Sequence, residues 1–297
     1  IYTTSHTLSL HDVLPILKEL SFRIPISFGD NSMLKSYMDQ IADGYDTINI
    51  CHHLWYVEKE KNNNPKYYQF CKDIGNLYFS SPPYKYDNKD NRDFPYIDQE
   101  TFIEKFNLSP NLPNLQFYLC RGEYPIISEP YIVLPTKIRY LHRIIYNQIY
   151  DEFWDSIKHL SKKYKIVILG ERKIEQFGDE FTYHGPDVIY SIYNDFKKHL
   201  DKNRIIDLTI NSLGHHTAPD LAIIQRDCQI IKNGEFSITL GIAGSFVMNI
   251  CAAKYVIGYR TDELKIADMI YNQTNDRCFI KSNWQEVYNK LIEKYSD

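Results

Sequence analysis

Thr239–Tyr259, TLGIAGSFVMNICAAKYVIGY, is the stretch whose residue types come nearest to chemistry. A short apolar run ends at Gly241, and a small-residue turn comes next at Ala243-Gly244-Ser245. Apolar positions at Phe246, Val247, Ile250, Cys251 and Ala252 then mark a helix, and Tyr255–Gly258 reads as a second buried strand. The free N–H groups of that helix start lie beside Gly244, where no Cβ blocks a ligand. Such a start is a ready anion site, and in an α/β chain the usual anion is a phosphate. The same residues also fit a plain tight turn packing a helix on a sheet, so the choice between the two rests on the rest of the chain.

Three other turns share the pattern. Gly29-Asp30 comes after Ser21–Phe28, Thr136-Lys137 after Tyr131–Leu134, and Gly170-Glu171 after Lys165–Leu169. Ligands of open α/β sheets bind outside the carboxyl ends of the strands, so four such turns converging on one cleft would form a single site. His52-His53 comes after the strand-like Thr47–Cys51 and could face the same cleft, and His215-His216 sits in the polar loop Asn211–Pro219. Adjacent histidines point in different directions, and the chain has no H-x-x-x-H and no mixed Cys/His spacing. No metal site is expected.

Positioning these turns requires alternating strands and helices. Ser32–Asp43 carries a helical stripe at Met33, Leu34, Tyr37, Met38 and Ile41, with Asn31 as N-cap and Gly44 just past the end. Residues 58–100 read as an irregular insertion with one helical patch, Tyr67–Phe79; a short helix comes next at Glu100–Asn107, then a proline-punctuated linker around Leu115–Leu119. A long helical region is expected over Ile138–Tyr164, a strand at Ile205–Leu208, a short helix at Pro219–Gln225, a strand at Cys228–Ile231 and a last helix at Asn283–Tyr295. Strand–helix alternation implies parallel sheets covered on both faces. The organisation expected is two α/β halves, 17–125 and 126–280, and a C-terminal helix over 281–297. Residues 6–16, HTLSLHDVLPI, resemble the frame translation of a sequencing-adapter oligonucleotide, so 1–16 is expected to be non-native and His6, His11 and Asp12 stay outside the site.

Composition narrows the classes. The 297 residues are 43% hydrophobic and 24% charged, enough for a core in two domains. A formal net charge of −4 leaves no basic field for nucleic acid. Six cysteines without C-x-x-C read as reduced thiols of a cytoplasmic protein. No apolar run approaches the ~18–20 residues needed to span a bilayer.

On these four turns the chain resembles glycosyltransferases of the GT-B architecture, and is similar in layout to the ADP-heptose:lipopolysaccharide heptosyltransferases. The resemblance is best over about 131–260 and otherwise rests on Phe28–Ile41. It implies two Rossmann-like α/β/α domains whose parallel sheets face a central cleft, acceptor side first and nucleotide-sugar side second. Gly29 and Asp30 match the family's Gly-Asp turn, whose aspartate is the proposed catalytic base; the same carboxylate could instead cap the N–H groups of Ser32 and Met33. Thr136, Lys137 and Trp154 fit the opening of the second half, and Gly170 and Glu171 match a glycine and the acidic residue that holds the nucleoside. Gly244, Ser245, Ala252 and Ala253 match the glycine-rich turn and its alanine-rich helix in outline. The acidic residue and histidine of that signature are absent, with Ile242–Ala243 and Met248 or Asn249 in their places.

The resemblance implies a transferase moving a sugar from a nucleotide-sugar donor to a surface polysaccharide or lipopolysaccharide acceptor, inverting and without a metal or other cofactor. Asp30 would be the base. Lys137 and the Gly244-Ser245 amides would carry the leaving diphosphate, supported by Arg139 or Arg260. Thr136, Gly170, Glu171 and Asn249 complete the donor side, while Gly29, His52 and His53 lie toward the acceptor. The protein would work in the cytoplasm, with peripheral contact at the inner membrane face when a membrane-bound acceptor recruits it. A non-catalytic nucleotide- or glycan-binding protein of the same fold, or a sugar-nucleotide epimerase, are the alternatives.

Overall fold

The computed structural model describes residues 18–25, 28–53, 65–87, 91–109, 113–139, 146–170, 172, 189–210, 221–240, 244–259 and 274–296; at 66–67, 137–139, 189–190 and 244–246 it describes the backbone alone. The 1–16 segment therefore lies outside the described residues, as do Glu171, Arg260 and His215-His216.

The first half is a three-stranded parallel sheet. β1 (Glu19–Ile24) leads into helix α1 (Phe28–Ile41), β2 (Thr47–His52) pairs with β1 from Glu19↔Thr47 to Ile24↔His52, and helix α2 (Pro65–Phe79) leads to β3 (Tyr84–Asp87) beside β2. On the open side of β1, Arg23 N–H donates to Pro95 O and Ile97 N–H to Arg23 O, so the backbone of 95–97 extends the edge. Helix α3 (Gln99–Phe106) is capped by Asp98, whose carboxylate accepts from Thr101 N–H, and it ends on Asn107 in the left-handed region at φ 49°.

The expected linker around Leu115–Leu119 is instead a wedge. Helix α4 (Gln116–Leu119) buries Leu115 and Leu119, Leu115 N–H donates to Cys251 O, and Gln116 Nε2 donates to Ala252 O. Prolines mark the approach to α4, but apolar residues at its ends dock it.

The larger sheet contains β4 (Tyr131–Pro135), β6 (Lys165–Leu169), β8 (Ile205–Asp207), β9 (Ser237–Leu240), β10 (Val256–Tyr259), β11 (Thr274–Asn275) and β12 (Cys278–Lys281). Its order is β11-β12-β10-β9-β4-β6-β8, with every pairing parallel except β11 on β12. β5 (Lys137–Arg139) and β7 (Ile189–Ser191) form a separate antiparallel ribbon. The long helix was expected from Ile138, but Ile138 and Arg139 lie in β5 and the helix, α5 (Tyr150–Lys163), starts later. The β-branched Ile138 sits where it can pair with Tyr190.

The remaining helices are α6 (Tyr193–His199), α7 (Leu221–Asn233), α8 (Gly244–Ala252) and α9 (Trp284–Ser296). The expected strand Cys228–Ile231 lies inside α7, because an apolar run that short is read equally by a buried helix.

Alternation along the central strands sorts the core. Ile132, Leu134, Ile166, Ile168, Ile238 and Ile257 face Phe153, Trp154, Leu160, Phe196, Val287 and Leu291 of α5, α6 and α9. Val133, Val167, Leu169 and Val256 face α7 and α8 on the other side. That second cluster continues without a break into Phe22, Ile24, Leu34, Ile48, Ile50, Ile74 and Tyr78 of the first half. Accordingly α1 packs against α8, α2 against α7, and α4 against both α7 and α8.

A buried lysine reinforces this junction. Lys35 of α1 is fully buried, forms an ion pair with Asp39, and donates to Tyr118 Oη at 2.8 Å. Its ammonium also lies 4.4 Å from the ring centroids of both Tyr84 and Tyr118.

Candidate functional site

At the carboxyl edge of the larger sheet, three strand ends meet. Thr136, just past β4, is buried; its N–H donates to Leu169 O at 2.8 Å and its carbonyl accepts from Ile192 N–H at 2.8 Å. Gly170, just past β6, has φ +103°, and a Cβ there would lie 2.7 Å from Thr136 Oγ1. Only glycine satisfies both the dihedral and the close approach. Gly170 O accepts from Ile210 N–H and Arg172 N–H donates to Ile210 O, so the chain beyond β6 stays paired with the chain beyond β8.

That pairing sets an arginine in place. Arg172 Nε donates to Thr209 Oγ1 at 3.0 Å, and its Nη2 lies 3.6 Å from Asp207 Oδ2. Asp207 also accepts from Tyr193 Oη at 2.6 Å, from Thr209 N–H at 3.1 Å and from the Thr209 hydroxyl. Partial burial alone would raise the Asp207 carboxyl, but the Thr209 and Tyr193 hydrogen bonds and the Arg172 charge outweigh it and hold it below the usual carboxylate range. Asp207 thus stays ionised as the orienter of Arg172, whose side chain remains 44% exposed. A guanidinium held at two points with an open edge suits bidentate contact to phosphate or carboxylate oxygens.

On the first sheet, Gly29 and Asp30 lie in the first turn of α1 rather than in a turn ahead of it, because the helix begins at Phe28. Asp30 is exposed at the positive end of the helix dipole. Asn31 is not the N-cap. It is buried inside the helix, and its Nδ2 donates to Pro25 O at 2.7 Å. His52, at the end of β2, is buried, with Nε2 3.3 Å from Asn31 Oδ1 and Nδ1 2.7 Å from Tyr86 Oη. Burial pushes its pKa down to about 3, so the ring is neutral. Both ring nitrogens are engaged within the fold. His53 is half-buried with its ring 5.0 Å from that of Tyr96, edge to face.

The structure therefore joins Thr136 to Gly170, and joins His52 to the helix that carries Gly29 and Asp30. Lys137 and Arg139 are on the β5 ribbon beside Thr136, with backbone alone described. Gly244 and Ser245 open α8, the helix after β9, and Asn249 is buried within it. Sequence reasoning missed Arg172, Tyr193, Asp207 and Thr209. The one local signal for them is Asp207-Leu208-Thr209 directly after an apolar strand.

Among the described residues no group of three or more His, Cys, Asp or Glu side chains is placed to hold a metal ion. All six cysteines are buried thiols. No helix is long and apolar enough to cross a membrane, among the residues described.

No protein-family model matches the chain, and no curated protein matches it. Among solved structures it is similar to the dodecameric iron-containing heptosyltransferase TibC in complex with ADP-D-β-D-heptose, at a TM-score of 0.46 and 12% identity. A second structure, the bacterial iron-containing dodecameric glycosyltransferase TibC from enterotoxigenic E. coli, gives a TM-score of 0.45 at 12% identity. Each match covers 90% of this chain and 63% of the other, so the chain spans less than two thirds of either. The fold stands on its strand order and pairing rather than on this likeness.

Proposed function

We propose that the chain is a glycosyltransferase that moves a sugar from a nucleotide-sugar donor to a glycan acceptor of the surface polysaccharide or lipopolysaccharide type. The observation that carries this reading is the carboxyl edge of the larger sheet. There the tight Thr136–Gly170 contact and the oriented Arg172 stand at adjacent strand ends, where α/β sheets receive their ligands. The packing of α1, which carries Asp30, against α8, which Gly244 opens, supports a shared site.

In this reading the acceptor hydroxyl attacks the anomeric carbon from the face opposite the leaving group, and its proton passes to the Asp30 carboxylate. The new glycosidic C–O bond forms as the bond from the anomeric carbon to the diphosphate oxygen breaks. The nucleoside diphosphate leaves with that electron pair. Lys137, Arg139, Arg172 and the amides at Gly244-Ser245 would stabilise the departing charge, the kind of preorganised contribution that usually dominates catalysis. Glu171 would hold the nucleoside, beside Thr136, Gly170 and Asn249. No step requires a metal, and the acceptor would approach from the Gly29 and His53 side, with His52 buried behind it and both its ring nitrogens engaged.

The test is acceptor-dependent release of nucleoside diphosphate from ADP-, GDP- and UDP-sugars, ADP-D-β-D-heptose among them. Asp30→Asn should bind the donor normally while transferring about 10²–10⁴-fold more slowly. A donor bound but never transferred would favour a non-catalytic binding protein. Failure of every donor to bind would contradict the proposal.

A further inference from the structure

The polar groups behind the first turn of α1 form a directional chain that starts from one fixed point. The carbonyl of Pro25 can only accept, so the atom of Asn31 facing it is the amide nitrogen. The other end of that amide, Oδ1, must then accept from His52 Nε2. This makes His52 the Nε2–H tautomer and leaves Nδ1 to accept from Tyr86 Oη at 2.7 Å. Burial keeps the Tyr86 phenol protonated, consistent with its role as donor. The chain runs from β3 through β2 to α1 and back to the end of β1, across four separate elements.

The packing around it preserves that direction. His52 and Tyr86 meet edge to face at 5.3 Å between centroids. Gly75, in the middle of α2, has no Cβ because one would lie 2.4 Å from Tyr86 Cζ and 2.6 Å from its hydroxyl. Glycine inside a helix is unfavourable, and here it makes the slot in which the Tyr86 ring sits.

We infer that His52 is a positioning residue which acts through Asn31 to tie the first turn of α1 to Pro25 at the end of β1, and so sets the orientation of Asp30. The role of Asp30 rests on the proposed transferase function; the hydrogen-bond chain does not. His52 never gives up or takes a proton in this scheme. It transmits position from Tyr86 to the helix whose first turn carries the carboxylate.

Two arms test this on the full-length chain. The first is ¹⁵N NMR of the His52 ring with amide hydrogen exchange along α1, in the wild type, Tyr86→Phe and His52→Leu. The expected result is a neutral Nε2–H ring that does not titrate over about pH 5 to 8. Exchange in the first turns of α1 should quicken by about tenfold or more in both variants, with β4 and β6 unchanged. Tyr86→Phe, which removes one oxygen, serves if His52→Leu does not fold. A ring that titrates in that range, an Nδ1–H tautomer, or α1 exchange unchanged in Tyr86→Phe overturns the inference.

The second arm is transfer kinetics: Tyr86→Phe should lower kcat by about tenfold with the donor KM within about twofold. Combined with Asp30→Asn it should cost nothing further, since both changes act on one carboxylate. A Tyr86→Phe loss that persists in full on the Asp30→Asn background overturns the inference. A wild type without transfer activity, with the first arm as expected, refutes the transferase reading while the positional role of His52 stands.

Discussion

Replacing Gly75 with alanine sets two local free energies against each other. Alanine inside a helix is favoured over glycine by about 1 kcal/mol, so propensity alone makes the substitution stabilising. Against that, the new Cβ would lie 2.4, 2.6 and 2.7 Å from Tyr86 Cζ, Oη and Cε2. Carbon atoms in contact prefer about 3.5–4.0 Å, so the ring must retreat by roughly 1 Å. The Tyr86–His52 hydrogen bond is 2.7 Å long and does not survive such a retreat. Overpacking costs about 1–3 kcal/mol, and a buried imidazole nitrogen left unsatisfied about as much again. The net expectation, after the propensity gain is subtracted, is a loss of about 1–5 kcal/mol. Urea unfolding of the wild type, Gly75→Ala, Tyr86→Phe and the double variant measures it. Because both single changes remove the same hydrogen bond, the double variant should fall short of their sum by about 0.5 kcal/mol or more. A Gly75→Ala protein as stable as the wild type, or more stable, refutes the reasoning.

Other substitutions test the remaining elements. Gly170→Ala places a Cβ at φ +103° and 2.7 Å from Thr136 Oγ1, and should cost about 2–4 kcal/mol in the same unfolding assay; a cost under about 0.5 kcal/mol contradicts the geometry at the strand end. Asp39→Ala strands the buried Lys35 ammonium and should cost about 3 kcal/mol, more than Lys35→Met, which removes the charge itself; the reverse order is inconsistent with that burial. Acid should expose His52. The unfolded ring binds its proton near 6.5 and the folded one only near 3, so its contribution is complete above pH 6.5 and shrinks by about 1.4 kcal/mol per pH unit as the pH falls toward 3. Asp227, pushed up to about 6 by burial, works in the opposite sense between 3.8 and 6. The comparison is therefore wild type against His52→Gln, and equal pH slopes would show that His52 is not held neutral.

Much of the fold was legible because apolar runs and helical stripes are local. KIVIL at 165–169 is a continuous apolar strand of the buried type, TINIC at 47–51 is a strand with Ile48 and Ile50 on one face, and both appear as strands. The stripe Met33, Leu34, Tyr37, Met38 is the buried face of α1. Elsewhere tertiary packing decided. The apolar run at 228–231 is helical because α7 is packed between the larger sheet and helices of the first half, which buries more of its surface than a single stripe. Strands β3, β7, β11 and β12 are only two to four residues long, too short for periodicity to declare them. The candidate site divides the same way. Thr136 and Gly170 lie just past obvious strands, whereas Arg172 and Asp207 are brought together only by the pairing of β6 with β8. The chain from Tyr86 to Asn31 draws one residue from each of three elements, and no spacing in the sequence announces it.

The central claim is that a nucleoside diphosphate sits at the carboxyl edge of the larger sheet, against Arg172 and the start of α8. Calorimetric titration of the full chain with ADP, GDP and UDP tests it most directly, in the wild type and in Asp30→Asn, Arg172→Gln and Gly244→Trp. One saturable site is expected for at least one nucleotide, unchanged by Asp30→Asn and weakened by about tenfold or more in the other two, a loss of about 1.4 kcal/mol. No binding of any of the three, or binding indifferent to both Arg172→Gln and Gly244→Trp, would contradict it.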